Sequence, residues 1–254
     1  SELAKGAVKA SSNSEQRVTS ETRLSSLFKL SAFALSLSAV MMPAQAKVVE
    51  GDVLDVNVHS SSIGIGDANT KALGANSTAI GNSANVTSSG QNSKAIGNNV
   101  TVLSANSSAT GNNITLENHA YNNLLAMGNN IKVVHANSNA IGNNINVSHM
   151  NASAIGNNIS VSNLKSAAIG NDINVSGKTS FAMGNNVTIS QEKTLAIGSD
   201  VNGRYANSVL IGDGTGNYGG TTGSRNILIG QGAQVGDSTS VVRVNQSIAI
   251  GAGI

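Results

Sequence analysis

The chain has 254 residues, with 28 glycines, one proline, no cysteine, 2% aromatic and 11% charged residues. An ordinary soluble domain carries roughly 25% charged residues, and three Phe with three Tyr and no Trp cannot fill a conventional globular core. Low charge excludes a solvated disordered chain, the lack of cysteine removes disulfides and thiolate metal sites, and residues 47–254, with ten basic and ten acidic groups, lack the basic excess that drives nucleic-acid binding.

The first element in chain order is a leader. Arg23 to Lys29 is a short basic segment, Leu30 to Met42 is an apolar run, and Ala44-Gln45-Ala46 follows Pro43. This is the order of a secretory signal peptide, with cleavage expected between Ala46 and Lys47. The run of thirteen residues is short of the roughly 20 that cross a membrane. Residues 1–46 are therefore read as an extended signal peptide and 47–62 as a lead-in.

From residue 63 the chain repeats. A tripeptide, mostly Ala-Ile-Gly or Ala-Met-Gly, ends at Gly81, Gly97, Gly111, Gly128, Gly142, Gly156, Gly170, Gly184, Gly198, Gly212, Gly230 and Gly251, and Gly66 is a first copy. The intervals from Gly81 are 16, 14 and 17 residues, then 14 six times outside the two long ones of 18 and 21 that close the series. Such a period has to be interpreted before any local motif. After each Gly the third and fifth residues are apolar, as in Ile145 and Val147 or Ile159 and Val161, which is strand periodicity. The Gly-Asn-Asn between the two apolar segments supplies a turn, since both residue types accept positive φ. Two short strands and two turns per period make one coil of a parallel β-solenoid, each coil about 4.8 Å from the next. With Gly66 the anchors predict thirteen coils. Stacked Asn-Asn turns predict side-chain amide ladders.

Each thin coil has three candidate core residues: the Ile before Gly, and the third and fifth after it. The alternate face of the first strand carries Ala79, Ala95, Ala109, Ala140, Ala154 and Ala168, with Ser two positions earlier in most coils. This column looks too small for a core and unsuited to water, so it is the expected contact with another chain.

The Ser-x-Ala-Ile-Gly-Asn unit at this period resembles the YadA-like head of the trimeric autotransporter adhesins, over about residues 63–254. The segment Ser1-Glu2-Leu3-Ala4-Lys5-Gly6, with Lys9 and Ser11-Ser12, resembles the end of the extended signal peptide of type V secretion proteins. The resemblance implies an all-β, left-handed parallel β-roll and a homotrimer. It also implies display at the outer membrane of a Gram-negative bacterium and adhesion to host cells or extracellular matrix protein such as collagen. It implies no enzyme activity and no cofactor. The family's stalk and membrane anchor are not visible, so the chain is expected to be an N-terminal portion, joined to a membrane only through a C-terminal anchor absent here. Three before the Gly the family often has an apolar residue. Here that position is polar early (Thr78, Lys94, Ser108, Asn139, Ser153) and apolar late (Phe181, Leu195, Val209, Ile227, Ile248), and a corner location is expected for the early copies.

No catalytic constellation emerges. Gly177-Lys178-Thr179 lacks the leading glycine of a phosphate loop, because Asp172 stands there, and Gly212 to Gly216 lacks a dinucleotide-binding setting. The Asn-x-Ser/Thr triplets are read as turn-to-strand sequence rather than glycan acceptors. His135 and His149, one coil apart, should stack. The two long coils hold Tyr218, Arg225 and Arg243, which are the binding-loop candidates because insertions in a solenoid collect on one side. The competing function is an ice-binding or other non-adhesive surface solenoid. Ice binding calls for flat threonine arrays, whereas the second strands place Asn, Ser or Lys between their apolar residues.

Overall fold

A computed structural model describes residues 57–117, 123–217, 224–236 and 245–253. The leader, its cleavage site at Ala46 and Lys47, and most of the 47–62 lead-in lie outside the described residues. Among the described residues every regular element is a β-strand, and all pair in parallel with the strand one coil away. The protein is an all-β solenoid of 14-residue coils. The thirteen anchor glycines, Gly66 to Gly251, bound twelve full turns, one fewer than a count of anchors as coils gives.

Strand pairing keeps equivalent residues in register. Ala140, Ala154 and Ala168 are consecutive partners, as are Gly142, Gly156 and Gly170, and Val147, Val161 and Val175. In the regular region the two expected short strands are one nine-residue strand, from Lys94–Val102 through to Leu195–Gly203. Each bends sharply at a residue in the left-handed region. Asn144 and Asn158 have φ of 55° and 54°. The part before this first corner is the first arm, and the part after it is the second arm. A second corner returns the chain to the next coil, again through a left-handed residue such as Asn137, Asn151 or Lys165.

The glycine before the first corner is set by two constraints at once. Gly142 has φ +136°, and a Cβ built there would lie 1.8 Å from the carbonyl oxygen of Gly156 in the next coil. No side chain fits, because the coils approach backbone to backbone at this point.

The core lies between the two arms. Along the first arm the residue two before Gly points inward, and the residues one and three before it point outward, as alternation in a strand requires. Ala79, Ala95, Ala109, Ala140 and Ala154 are fully buried and Ala168 nearly so. They form one apolar cluster with the second-arm pairs such as Ile145 and Val147. The expected contact column is therefore the inner wall of the roll. A methyl group is the right size because the branched residues of the second arm fill the rest of a very thin core. The Ile before Gly, expected in the core, lies outside it. The residue three before Gly is not at a corner either. It stands on the first arm, with Ser153 paired to Ala167 and Ala167 to Phe181.

The serines that precede these alanines also have an internal role. Ser93, Ser138, Ser166 and Ser180 are buried. Each hydroxyl donates to a carbonyl eleven residues ahead: Ser104, His149, Gly177 and Gln191 respectively. The serine hydroxyl oxygens themselves accept the backbone N–H fourteen residues on, at Ser107, Ala152, Ser180 and Thr194. This column stitches consecutive second corners together. Ser77, which precedes a lengthened corner, is an exception whose hydroxyl has no partner.

Candidate interaction surfaces

The predicted asparagine ladders form at the first corner. Asn129, Asn143, Asn157, Asn171 and Asn185 are joined by Nδ2–H to Oδ1 bonds of 2.8 to 2.9 Å. A second ladder beside it runs Asn99 to Asn113 to Asn130, then Asn144 to Asn158 to Asp172. A third, not foreseen, occupies the second corner, through Asn76, Asn92 and Asn106 and through Asn123 and Asn137. Its signal in the sequence is the Asn five before Gly81, Gly97, Gly111, Gly128, Gly142 and Gly156, which is overshadowed by the double-Asn turn.

The outer face of the second arm is a shallow open groove of about 820 Å³. Its walls are the second ladder and a column four residues after Gly that reads Thr115, Lys132, Asn146, Ser160, Asn174. This column mixes hydroxyl, amide and ammonium groups, and Lys132 Nζ lies 3.0 Å from Glu117 Oε1. It is not a flat threonine array. The groove can offer a polar partner a set of hydrogen-bonding groups repeated every coil.

The outer face of the first arm is apolar. The residue before each Gly is partly or fully exposed along the rod, with Met127 at 50%, Ile155 at 44% and Ile250 at 64%. From coil to coil it is Ile or Met in all but one described copy, Thr110. In the later coils the neighbouring column is apolar too, giving Phe181 with Met183, Leu195 with Ile197 and Val209 with Ile211. A stripe one residue wide early thus becomes two wide late.

The register of the flanking strands places the extra residues of the intervals of 16, 17, 18 and 21 between a second arm and the next first arm. Asn85 and Thr101, Asn202 and Gly216, and Gly216 and Gln234 still pair on the second arm, while the next first arms pair normally. Of the binding-loop candidates, Arg225 is exposed at the second corner with φ 62°. Tyr218 and Arg243 lie outside the described residues, and nothing here brings the three together.

His135 and His149 stack as the period requires, with ring centroids 5.5 Å apart and planes tilted by 36°. His149 Nδ1 accepts the Met150 N–H at 2.9 Å, so this nitrogen is occupied by its own turn. Among the described residues no three His, Cys, Asp or Glu side chains gather where a metal could bind.

The chain matches no protein-family model and no curated protein sequence.

Proposed function

We propose that the chain is the head of a surface adhesin, a rod of β-coils that assembles as a homotrimer. Its first arms face the common axis, and its second arms face a host matrix protein such as collagen, or a host cell surface. The observation that carries this reading is the apolar outer stripe of the first arm, which runs along the twelve turns with Thr110 as its one polar interruption among the described copies, on a face that has no role inside the single chain. Exposed contiguous apolar surface of this length marks a site of association. The stripe replaces the alanine column as the interface. The polar groove then lies on the outside, where a repeated weak contact gains from multivalency. The resemblance to trimeric autotransporter heads supports the same arrangement and implies display at the outer membrane after export by the leader. Binding spread over coils accords with a surface that repeats the same groups from coil to coil.

The test is light scattering on the chain and on a variant with Ile155→Lys and Ile169→Lys. A trimer that the substitutions convert to folded monomer, judged by an unchanged far-ultraviolet spectrum, supports the reading. A native chain that is monomeric at micromolar concentration refutes it. Immobilised collagen and cell-surface preparations then test adhesion, and absence of binding by the trimer to every such surface removes the adhesive part.

A further inference from the structure

The formal neutrality of residues 47–254 hides a separation of charge across the rod. Between residues 163 and 217 and from 224 to 230, the basic side chains are Lys165, Lys178, Lys193, Arg204 and Arg225. All five are exposed at or beside the second corner, one in each successive coil. The acidic side chains Asp172, Asp200 and Asp213 are exposed at the first corner. The one acid on the basic side is Glu192, whose Oε1 is 3.8 Å from Lys193 Nζ.

The two edges flank the apolar stripe. Along one coil the outward order is Lys165, Ala167, Ile169, Asp172, and two coils further it is Lys193, Leu195, Ile197, Asp200. The basic pair and the acidic pair are each 28 residues apart, two coils in both cases. All four residues hold the same left-handed corner conformation, with φ of 54° or 55°.

From this pattern we infer that, within the proposed assembly, the basic edge of each protomer packs against the acidic edge of the next, and that these ion pairs fix the mutual direction and level of the chains. The inference rests on the proposed assembly around the first arms. Rotation about an axis along the rod carries each left edge to a neighbour's right edge, so Lys165 meets Asp172 and Lys193 meets Asp200 at every interface of a closed ring. Packing the same faces antiparallel sets basic edge on basic edge, which like-charge repulsion opposes. The apolar stripe supplies attraction without direction, and the edges supply the direction.

The chain as it stands can be tested with a zero-length carbodiimide, which joins a lysine to a carboxylate only in direct contact. Lys165 and Asp172 of one chain are separated by most of a first arm, roughly 20 Å at 3.3 Å per residue, so a link between them is intermolecular. Lys132 with Glu117, 3.0 Å apart, is the internal control. Peptide mass spectrometry of the covalent oligomer should find Lys165 joined to Asp172, or Lys193 to Asp200. In parallel, Lys165→Glu with Lys193→Glu should weaken assembly by about tenfold in protomer concentration, and adding Asp172→Lys with Asp200→Lys should restore it. An oligomer that shows the control link but neither edge link, or one weakened by the first pair and not rescued by the second, overturns the edge assignment and leaves the axial apolar face standing. A chain that is monomeric throughout overturns both.

Discussion

The hydroxyl of Ser166 donates to the carbonyl oxygen of Gly177 at 2.7 Å, across the second corner of the next coil. Ser166 Oγ in turn accepts the Ser180 N–H at 3.3 Å, and Ser166 is 1% exposed. Ser166→Ala therefore leaves a buried carbonyl and a buried N–H without this partner, a loss of about 1–3 kcal/mol. Ala152 occupies the equivalent place one coil earlier and interrupts the column, so Ala152→Ser should move stability the other way, by up to about 1 kcal/mol. Urea midpoints followed by circular dichroism should shift down for the first variant and up for the second.

How far the sequence alone reveals this molecule is clear from that column. The period, the parallel register and the Asn ladders all follow from spacing, because equivalent positions in a solenoid must stack. Which face of a strand points inward does not follow from spacing. Ala154 and Ile155 alternate, and size favoured Ile for the core. In the folded coil the inward place goes to Ala154, since the second-arm residues Ile159 and Val161 already fill the interior from the other side. Ser166 reads as a surface residue unless the carbonyl of Gly177 is known to lie against it. The segregation of Lys165 from Asp172 was equally hidden, because a net charge sums over both edges.

The glycines divide into two kinds with different sensitivity. At Gly142 a methyl group meets the Gly156 carbonyl oxygen at 1.8 Å and the backbone φ is +136°. At Gly214, with φ +65°, the nearest atom to an added Cβ is 3.9 Å away. Gly214→Ala should cost about 1–2 kcal/mol, the ordinary penalty of the left-handed region. Gly142→Ala should cost more and separate the two coils locally. Hydrogen exchange would show it as lost protection at Gly156 and its neighbours, with little change at the ends of the rod.

Acid should loosen the first coils before the middle. Asp67 Oδ1 accepts the Ser83 N–H and the Thr70 hydroxyl, each at 2.8 Å. The Ser83 bond is the main reason its carboxyl is held below the ordinary 3.8, with burial opposing and Thr70 assisting. A depressed carboxyl stabilises the fold fully above its unfolded value and loses that contribution as pH falls through the lower folded value. Exchange at the Ser83 amide should therefore accelerate below pH 3.8, and Asp67→Asn should remove most of that pH dependence. Unchanged Ser83 protection down to the acid unfolding of the whole rod would contradict this.

Lys94 is the one charged residue on the outer face of a first arm among the described residues, exposed beside Ile96. If first arms surround an axis, copies of Lys94 converge there. Lys94→Val should then tighten assembly and reduce its dependence on salt, since a screened like-charge contact is removed. Light scattering over a concentration series at two ionic strengths provides the comparison. A variant that assembles more weakly at low salt would place Lys94 away from the axis.

The register makes a final prediction about binding. Gly142 pairs with Gly156 and Ile141 with Ile155, so deleting Gly142–Ile155 joins Ile141 to Gly156 in phase and removes one whole coil. Every remaining side chain keeps its face, and the solenoid, whose coils contact only their neighbours, should stay folded. Deleting one residue fewer would turn the following side chains to the opposite face and should collapse the rod. If adhesion is shared among coils, each in-register deletion removes one weak contact per chain, and affinity for an immobilised matrix protein should fall stepwise as coils are lost. The groove columns Thr115 to Asn174 predict that deletions between residues 111 and 174 matter most. If those deletions leave binding intact while Arg225→Ala abolishes it, recognition is local to the second corner near that residue and the distributed arrangement is wrong.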